Sequence, residues 1–258
     1  DPRAIALMAD LYAEFIPVFD AEDFNICGDE PWELGQGRSR ERADEIGKGR
    51  LYAEFICKLH DLVAKKHGKR MNMWADVVIQ HPESLDHLPK EIVMLNWDYA
   101  PDGRRFGHTE DLCDAGFPAV VCPGTSGWQT HGSRIDTAMK NIAGFAKVGR
   151  QNGVEGLLNT DWGDCGHRNP LAASLHGFAF GAAHAWNGEA VGGLRFTEQF
   201  CKLVLGDPGA ALVQPLRMLG ASSPTAPHAL YHGLTIPIRE ENDVTEELLP
   251  HSPVNMGK

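Results

Sequence analysis

Asp23-Phe24-Asn25-Ile26-Cys27-Gly28-Asp29-Glu30-Pro31-Trp32 begins as a short buried-strand pattern, halts at Gly28 and runs straight into two carboxylates, a proline and a tryptophan. Helical patterns flank it. On the N-terminal side, Ile5, Leu7, Met8, Leu11, Tyr12, Phe15 and Ile16 recur at mostly helical spacing over 2–16, with Pro2 in the first turn and Pro17 as the stop. On the other side, Ile46, Leu51, Phe55, Ile56, Leu59, Leu62 and Val63 predict one helix over 40–67, with Ser39 as N-cap and Gly68 as the stop.

The same alternation continues along the chain. Strand patterns fall at 70–74, 92–97, 119–122 and 156–160, and helical ones at 81–88, 109–115, 136–151 and 171–186. Five strand-then-helix units in succession predict a parallel sheet with helices outside it. Each strand leads at once into a polar, aromatic or Gly-rich loop: Gly28 to Trp32, Trp74 to Asp76, Trp97 to Tyr99, Pro123 to Trp128, Asp161 to Asp164. Chemistry at the C-terminal ends of consecutive parallel strands is the plan of a TIM (β/α)8 barrel. A doubly wound sheet also binds ligands there, but no strand is followed by Gly-x-Gly-x-x-Gly or a P-loop, so the barrel is preferred.

Five strands are visible where a barrel has eight. The expectation is therefore an α/β chain holding the C-terminal portion of such a barrel, about strands 4–8, over residues 1–205. Residues 206–258 are expected to form a Pro-rich linker, the start of a helical extension and an acidic tail with Glu240, Glu241, Asp243, Glu246 and Glu247. An open five-stranded segment exposes its edges and inner face, so the missing barrel half or a second copy is expected as a partner.

Composition narrows the function classes. Of 258 residues 43% are hydrophobic and 23% charged, with 28 Gly and 16 Pro, which excludes collagen-like and disordered chains. No apolar run approaches the roughly 18–20 residues that span a bilayer, so no membrane partner is expected. The 24 Lys and Arg stand against 35 Asp and Glu, a net charge of −11 that repels a phosphate backbone. The one dense basic run, 65–70, sits at a helix end where the dipole favours cations, and no nucleic-acid partner is expected. Cysteines at 27, 57, 113, 122, 165 and 201 form no CxxC pair and predict reduced, buried thiols in a cytoplasmic protein.

The densest chemistry is in Asp29-Glu30. Side chains alternate along extended backbone, so one carboxylate can face a scissile bond while its neighbour supports another part of the substrate. Close carboxylates also repel, which raises one of them toward the range of a general acid. Trp32, Trp74, Trp97, Trp128 and Trp162 all fall at or just after strand ends and are expected to converge on one face. Indole faces beside carboxylates suit a sugar ring, whose C–H faces stack while its hydroxyls need directed acceptors. His108, His131 and His167 lie in strand-end loops without ligand spacing, so no metal is expected. Asp76 and Asp98 are candidates for orienting Trp or Arg side chains, or for plain loop capping.

Gly28-Asp29-Glu30 after one strand, Trp74 and Trp97 after the next two, and Trp162-Gly163-Asp164 after the last resemble the family 20 glycoside hydrolases, the β-N-acetylhexosaminidases. The strings 29–39 and 158–167 are most similar to bacterial exo-β-N-acetylglucosaminidases, and the resemblance covers roughly residues 2–200. It implies hydrolysis of terminal β-linked N-acetylglucosamine or N-acetylgalactosamine from a glycan or glycoside, by a retaining, substrate-assisted route without cofactor. It further implies Glu30 as acid and base, and Asp29 on the acetamido N–H. Trp74, Trp97 and Trp162 would be pocket walls, and Asp164 the partner of the far hydroxyls; Trp128 is a candidate sugar contact from its strand-end position alone.

Two departures stand out. Gly127-Trp128 occupies the place where family members carry a Tyr near the acetamido oxygen, with Tyr99 as the substitute candidate. The substrate-gripping Arg of strand one, with its companion carboxylates and His, is expected to lie outside this chain. Two other readings stay open: a non-catalytic carbohydrate-binding fragment, and a metal-dependent barrel hydrolase using His and Asp at strand ends.

Overall fold

A computed structural model describes residues 2–130, 132–164, 170–188 and 192–221. His131, Cys165, His167 and the acidic tail lie outside these described residues. The elements in chain order are α1 (Pro2–Phe15), β1 (Asp23–Asn25), α2 (Arg40–Ile46), α3 (Lys48–His60), β2 (Arg70–Trp74), α4 (Asp76–Gln80), β3 (Val93–Trp97), α5 (His108–Asp114), β4 (Ala119–Cys122), α6 (Ile135–Gln151), β5 (Gly156–Leu157), α7 (Leu175–Trp186), α8 (Gly193–Leu203) and α9 (Val213–Ala221). The sheet order is β1-β2-β3-β4-β5, and the pairs β1–β2, β2–β3 and β3–β4 are all parallel. Sequential order, parallel pairing and helices in the crossovers make this a partial α/β barrel arrangement.

The chain divides into two compact units. The first holds residues 1–97, 104–122 and 148–156. Its core sets Tyr12 and Ile16 of the N-terminal segment and Tyr52, Ala53, Ile56 and Leu59 of α3 against Met71, Met73 and Met94 of the sheet. Strand alternation explains the division of labour. Met71 and Met73 turn toward the helices, which sends Asn72 and Trp74 to the opposite face. Register pairs Asn25 with Asn72 and Trp74 with Leu95 on that face.

Two helical expectations change. The segment 40–67 is broken at Gly47, whose φ of +84° ends α2 and restarts the chain as α3, and α3 runs on into a π-helical turn over Asp61–Lys66. Ser39 stands at the N-cap of α2, but its hydroxyl donates back to the Gln36 carbonyl and caps nothing. The expected strand over 156–160 shortens to Gly156–Leu157, with a separate parallel bridge between Gly124 and Thr160. Cys122 and Cys201 are buried as expected. Cys27 is exposed, and Cys57 and Cys113 are half-buried.

The second unit holds residues 98–103, 123–147 and 157–258. Its core brings Ala138 and Ile142 of α6 against Phe180 of α7, with Phe196 of α8 packed beside them. Arg217 of α9 grips Asp136 of α6 through three nitrogen–oxygen contacts of 2.9–3.3 Å. Among the described residues no helix is long and apolar enough to cross a membrane.

Candidate functional site

In the first unit the site begins where β1 ends. Cys27, Gly28 and Glu30 adopt φ of +62°, +82° and +46°, so the chain turns sharply over three left-handed residues. Only Gly28 does so without steric cost. Local bonds hold the turn: the Cys27 N–H donates to Asn25 Oδ1 at 2.9 Å, and Tyr52 Oη donates to the Gly28 carbonyl at 2.8 Å. Both peptide groups flanking the Glu30 Cα are also pinned. The Glu30 N–H donates to Asp76 Oδ2 at 3.0 Å, and the Glu30 carbonyl accepts the Trp32 N–H at 2.8 Å. Asp29 is half-buried and Glu30 is exposed.

Asp76 is 3% exposed, at the first position of α4. Burial pushes its carboxyl above the usual range, with the negative field of Asp29 adding to the rise. The N–H groups of Glu30 and of the Trp97 side chain oppose it. Trp74 is buried and hydrogen-bonds to the Cys27 thiol, whose pKa is raised first by burial and then by Asp29. Trp97 carries the Arg105 guanidinium 4.5 Å above its ring, a cation–π contact that occupies one indole face. Trp32 is 80% exposed.

The second unit gathers Tyr99, Trp128 and Trp162. Trp162 Nε1 donates to Tyr99 Oη at 2.6 Å, and the Tyr99 and Trp128 rings meet edge to face at 4.9 Å. Gly124 makes the approach possible, since a Cβ there would lie 2.6 Å from the Trp128 ring and 2.8 Å from that of Tyr99. Asn141 of α6, fully buried, ties the two loops together. Its Nδ2 donates to the carbonyls of Asp98 at 2.8 Å and Ala100 at 3.1 Å, while its Oδ1 accepts the Gly124 N–H at 3.1 Å.

Trp128 is fixed from behind by Arg134, which donates to the carbonyls of Trp128 and Gln129 at 3.2 and 2.8 Å. Trp162 follows Asp161, whose Oδ1 accepts the hydroxyls of Thr125 and of Ser174, the latter at 2.8 Å. Asp164 stands exposed on a turn. Asp98 caps its own loop through the Ala100 N–H at 2.9 Å. His108 pairs with Asp111 at 3.0 Å on the surface of α5. Among the described residues, no three His, Cys, Asp or Glu side chains are grouped so as to hold a metal ion.

The sequence offers Asp76 only as an orienting or capping residue, and gives Asn141, Arg134 and Asp161 no role of their own. Asp76, Asn141 and Asp161 act on residues of other loops, so no local pattern announces them, while Arg134 braces its own loop.

No protein-family model matches the chain, and no curated protein does. Among solved structures, the β-N-acetylhexosaminidase of Bacteroides fragilis NCTC 9343 superimposes on 82% of this chain with a TM-score of 0.57 at 13% sequence identity. The chain spans 46% of that protein's length. At this identity the likeness is one of fold, and it marks a distant structural relationship.

Proposed function

We propose that this chain carries the carboxylates of a glycoside hydrolase that releases terminal non-reducing β-linked N-acetylglucosamine, or N-acetylgalactosamine, from glycans or glycosides. The observation that carries the reading is Glu30: an exposed carboxylate on a backbone pinned at both peptide groups, at a parallel-strand end, beside the half-buried Asp29. The fold likeness to a bacterial β-N-acetylhexosaminidase supports it. In this reading β1 to β5 correspond to strands four to eight of a barrel, and the open edge of β1 is covered by further strands or a second copy.

The reaction conserves the anomeric configuration through two displacements. Glu30 gives its proton to the glycosidic oxygen as the C1–O bond breaks, and the bonding pair leaves with that oxygen. The substrate's acetamido oxygen forms the new bond to C1, giving an oxazolinium ion. Asp29 accepts the acetamido N–H and balances the positive charge as it grows, so its effect is greatest in the transition state. Glu30, now a carboxylate, takes a proton from water. The water oxygen bonds to C1, and the ring opens to restore the acetamide. Trp74 and Trp97 serve as walls for the sugar and its acetamido group, as do Trp128 and Trp162. Tyr99 is assigned to the acetamido oxygen and Asp164 to the distal hydroxyls.

Hydrolysis of a chromogenic β-N-acetylglucosaminide by the wild type and by Glu30→Gln tests the assignment. Turnover by the wild type alone is expected, with β-N-acetylglucosamine as the first product. Equal turnover by both proteins overturns the role of Glu30. Sugar binding without turnover in both would make the chain a binding fragment.

A further inference from the structure

A carboxylate acts as acid and base on one oxygen only if its Cα–Cβ direction is fixed, and that direction is set by the two peptide groups beside it. For Glu30 one is held by the Trp32 N–H from the next turn of the same loop. The other is held by a single side chain from 46 residues away, Asp76. The bond also opposes local preference, because Glu30 sits at φ +46°, a region that costs a non-glycine residue about 1 kcal/mol or more. Something outside the loop has to hold it there.

Asp76 is suited to that task. It is buried to 3% exposure at the start of α4, directly after β2, and its position is set by the packed Val77 and Val78 that follow. The same carboxyl receives the Trp97 side-chain N–H from the end of β3. One buried group therefore joins the C-terminal ends of β1, β2 and β3.

We propose that Asp76 is a positioning residue, holding the Glu30 backbone in its left-handed conformation so that the carboxylate is aimed at the leaving oxygen; this rests on the acid–base reading of Glu30 given above. Asp76 does not touch substrate. Its main contribution belongs to kcat, with a smaller effect on sugar binding through the Trp97 indole that it also holds.

The experiment compares wild type, Asp76→Ala and Asp76→Asn in steady-state hydrolysis of the chromogenic β-N-acetylglucosaminide, with amide hydrogen exchange of Glu30 followed on the same proteins. Asp76→Ala should lower kcat by about 10²-fold while KM changes by less than about threefold, and Asp76→Asn, which keeps one acceptor oxygen, should recover to within about tenfold of wild type. The Glu30 amide should be protected in the wild type and lose protection in Asp76→Ala. Wild-type kcat in Asp76→Ala overturns the proposal, as does a loss in both variants that merely follows the fraction folded. If the wild type itself shows no turnover, the glycosidase reading fails, and exchange alone then decides: a Glu30 amide equally protected in wild type and Asp76→Ala overturns the positioning role.

Discussion

Arg70 at the start of β2 and Glu155 just before β5 meet nitrogen to oxygen at 2.7 and 2.5 Å, although β3 and β4 lie between them in the sheet. Three strand steps of about 4.8 Å separate the two strands by roughly 14 Å, a span that takes both side chains near full extension. The pair lies across the N-terminal ends of the strands. The opposite ends carry the loops of Asp29, Glu30, Trp74 and Trp97.

Arg70 holds the Glu155 carboxyl below its usual range, so their attraction is present at neutral pH and is lost as pH falls through the lowered value. Both side chains are more than a third exposed. Glu155→Gln should therefore cost no more than about 1 kcal/mol, shrinking further in high salt. Urea denaturation at low and high ionic strength measures this.

Asn141 makes three buried hydrogen bonds, and removing its side chain leaves their partners without the group that satisfied them. Asn141→Ala should cost roughly 2–4 kcal/mol and free the Tyr99 and Trp128 loops from each other. A calorimetric melt gives the first quantity, and quenching of tryptophan fluorescence by acrylamide reports the second.

Gly124→Ala places a methyl group within 2.8 Å of both the Trp128 and Tyr99 rings. Overpacking of this kind costs about 1–3 kcal/mol. The rings should yield before the backbone does, so near-ultraviolet circular dichroism should change more than the far-ultraviolet signal.

Tyr99→Phe removes the acceptor of the Trp162 indole N–H. Stability should fall by about 1 kcal/mol. If Tyr99 serves the acetamido oxygen as proposed, kcat/KM should fall much further, by about 10- to 100-fold. An equal kcat/KM in the two proteins would reduce Tyr99 to packing.

His176 is buried among Phe180, Phe196 and Phe200, its Nε2 3.0 Å from Thr197 Oγ1. Burial lowers its pKa from 6.5 to about 4. The unfolded chain thus binds more protons between these values. The stabilisation is complete above pH 6.5 and is lost as pH falls toward 4, by about 3 kcal/mol in all. His176→Phe should flatten that part of the stability–pH curve in chemical denaturation.

Much of the frame was legible because apolar runs of strand length ended on clear breakers. Strands 70–74 and 119–122 were predicted to the residue, and α6 within one. The break at Gly47 was hidden, since a single glycine within a helical pattern is compatible with continued helix. Helix α4 was missed because Val77-Val78-Ile79 is too short to show a helical period. Trp32 illustrates a different limit: nothing in the sequence says that it stands 80% exposed after the left-handed turn at Cys27, Gly28 and Glu30. The site's supports, Asp76 on Glu30 and Asn141 on the Asp98 and Gly124 loops, join positions 17 to 46 residues apart by one polar group each. Hydrophobic periodicity carries no trace of such bonds.

The left-handed backbone at Glu30 also bears on any attempt to engineer this protein. Glycine or asparagine fits φ +46° better than glutamate, so a screen for thermal tolerance should select against Glu30. Variants enriched by heat alone would be the ones stripped of the proposed acid, and position 30 has to be held fixed in any stabilised library.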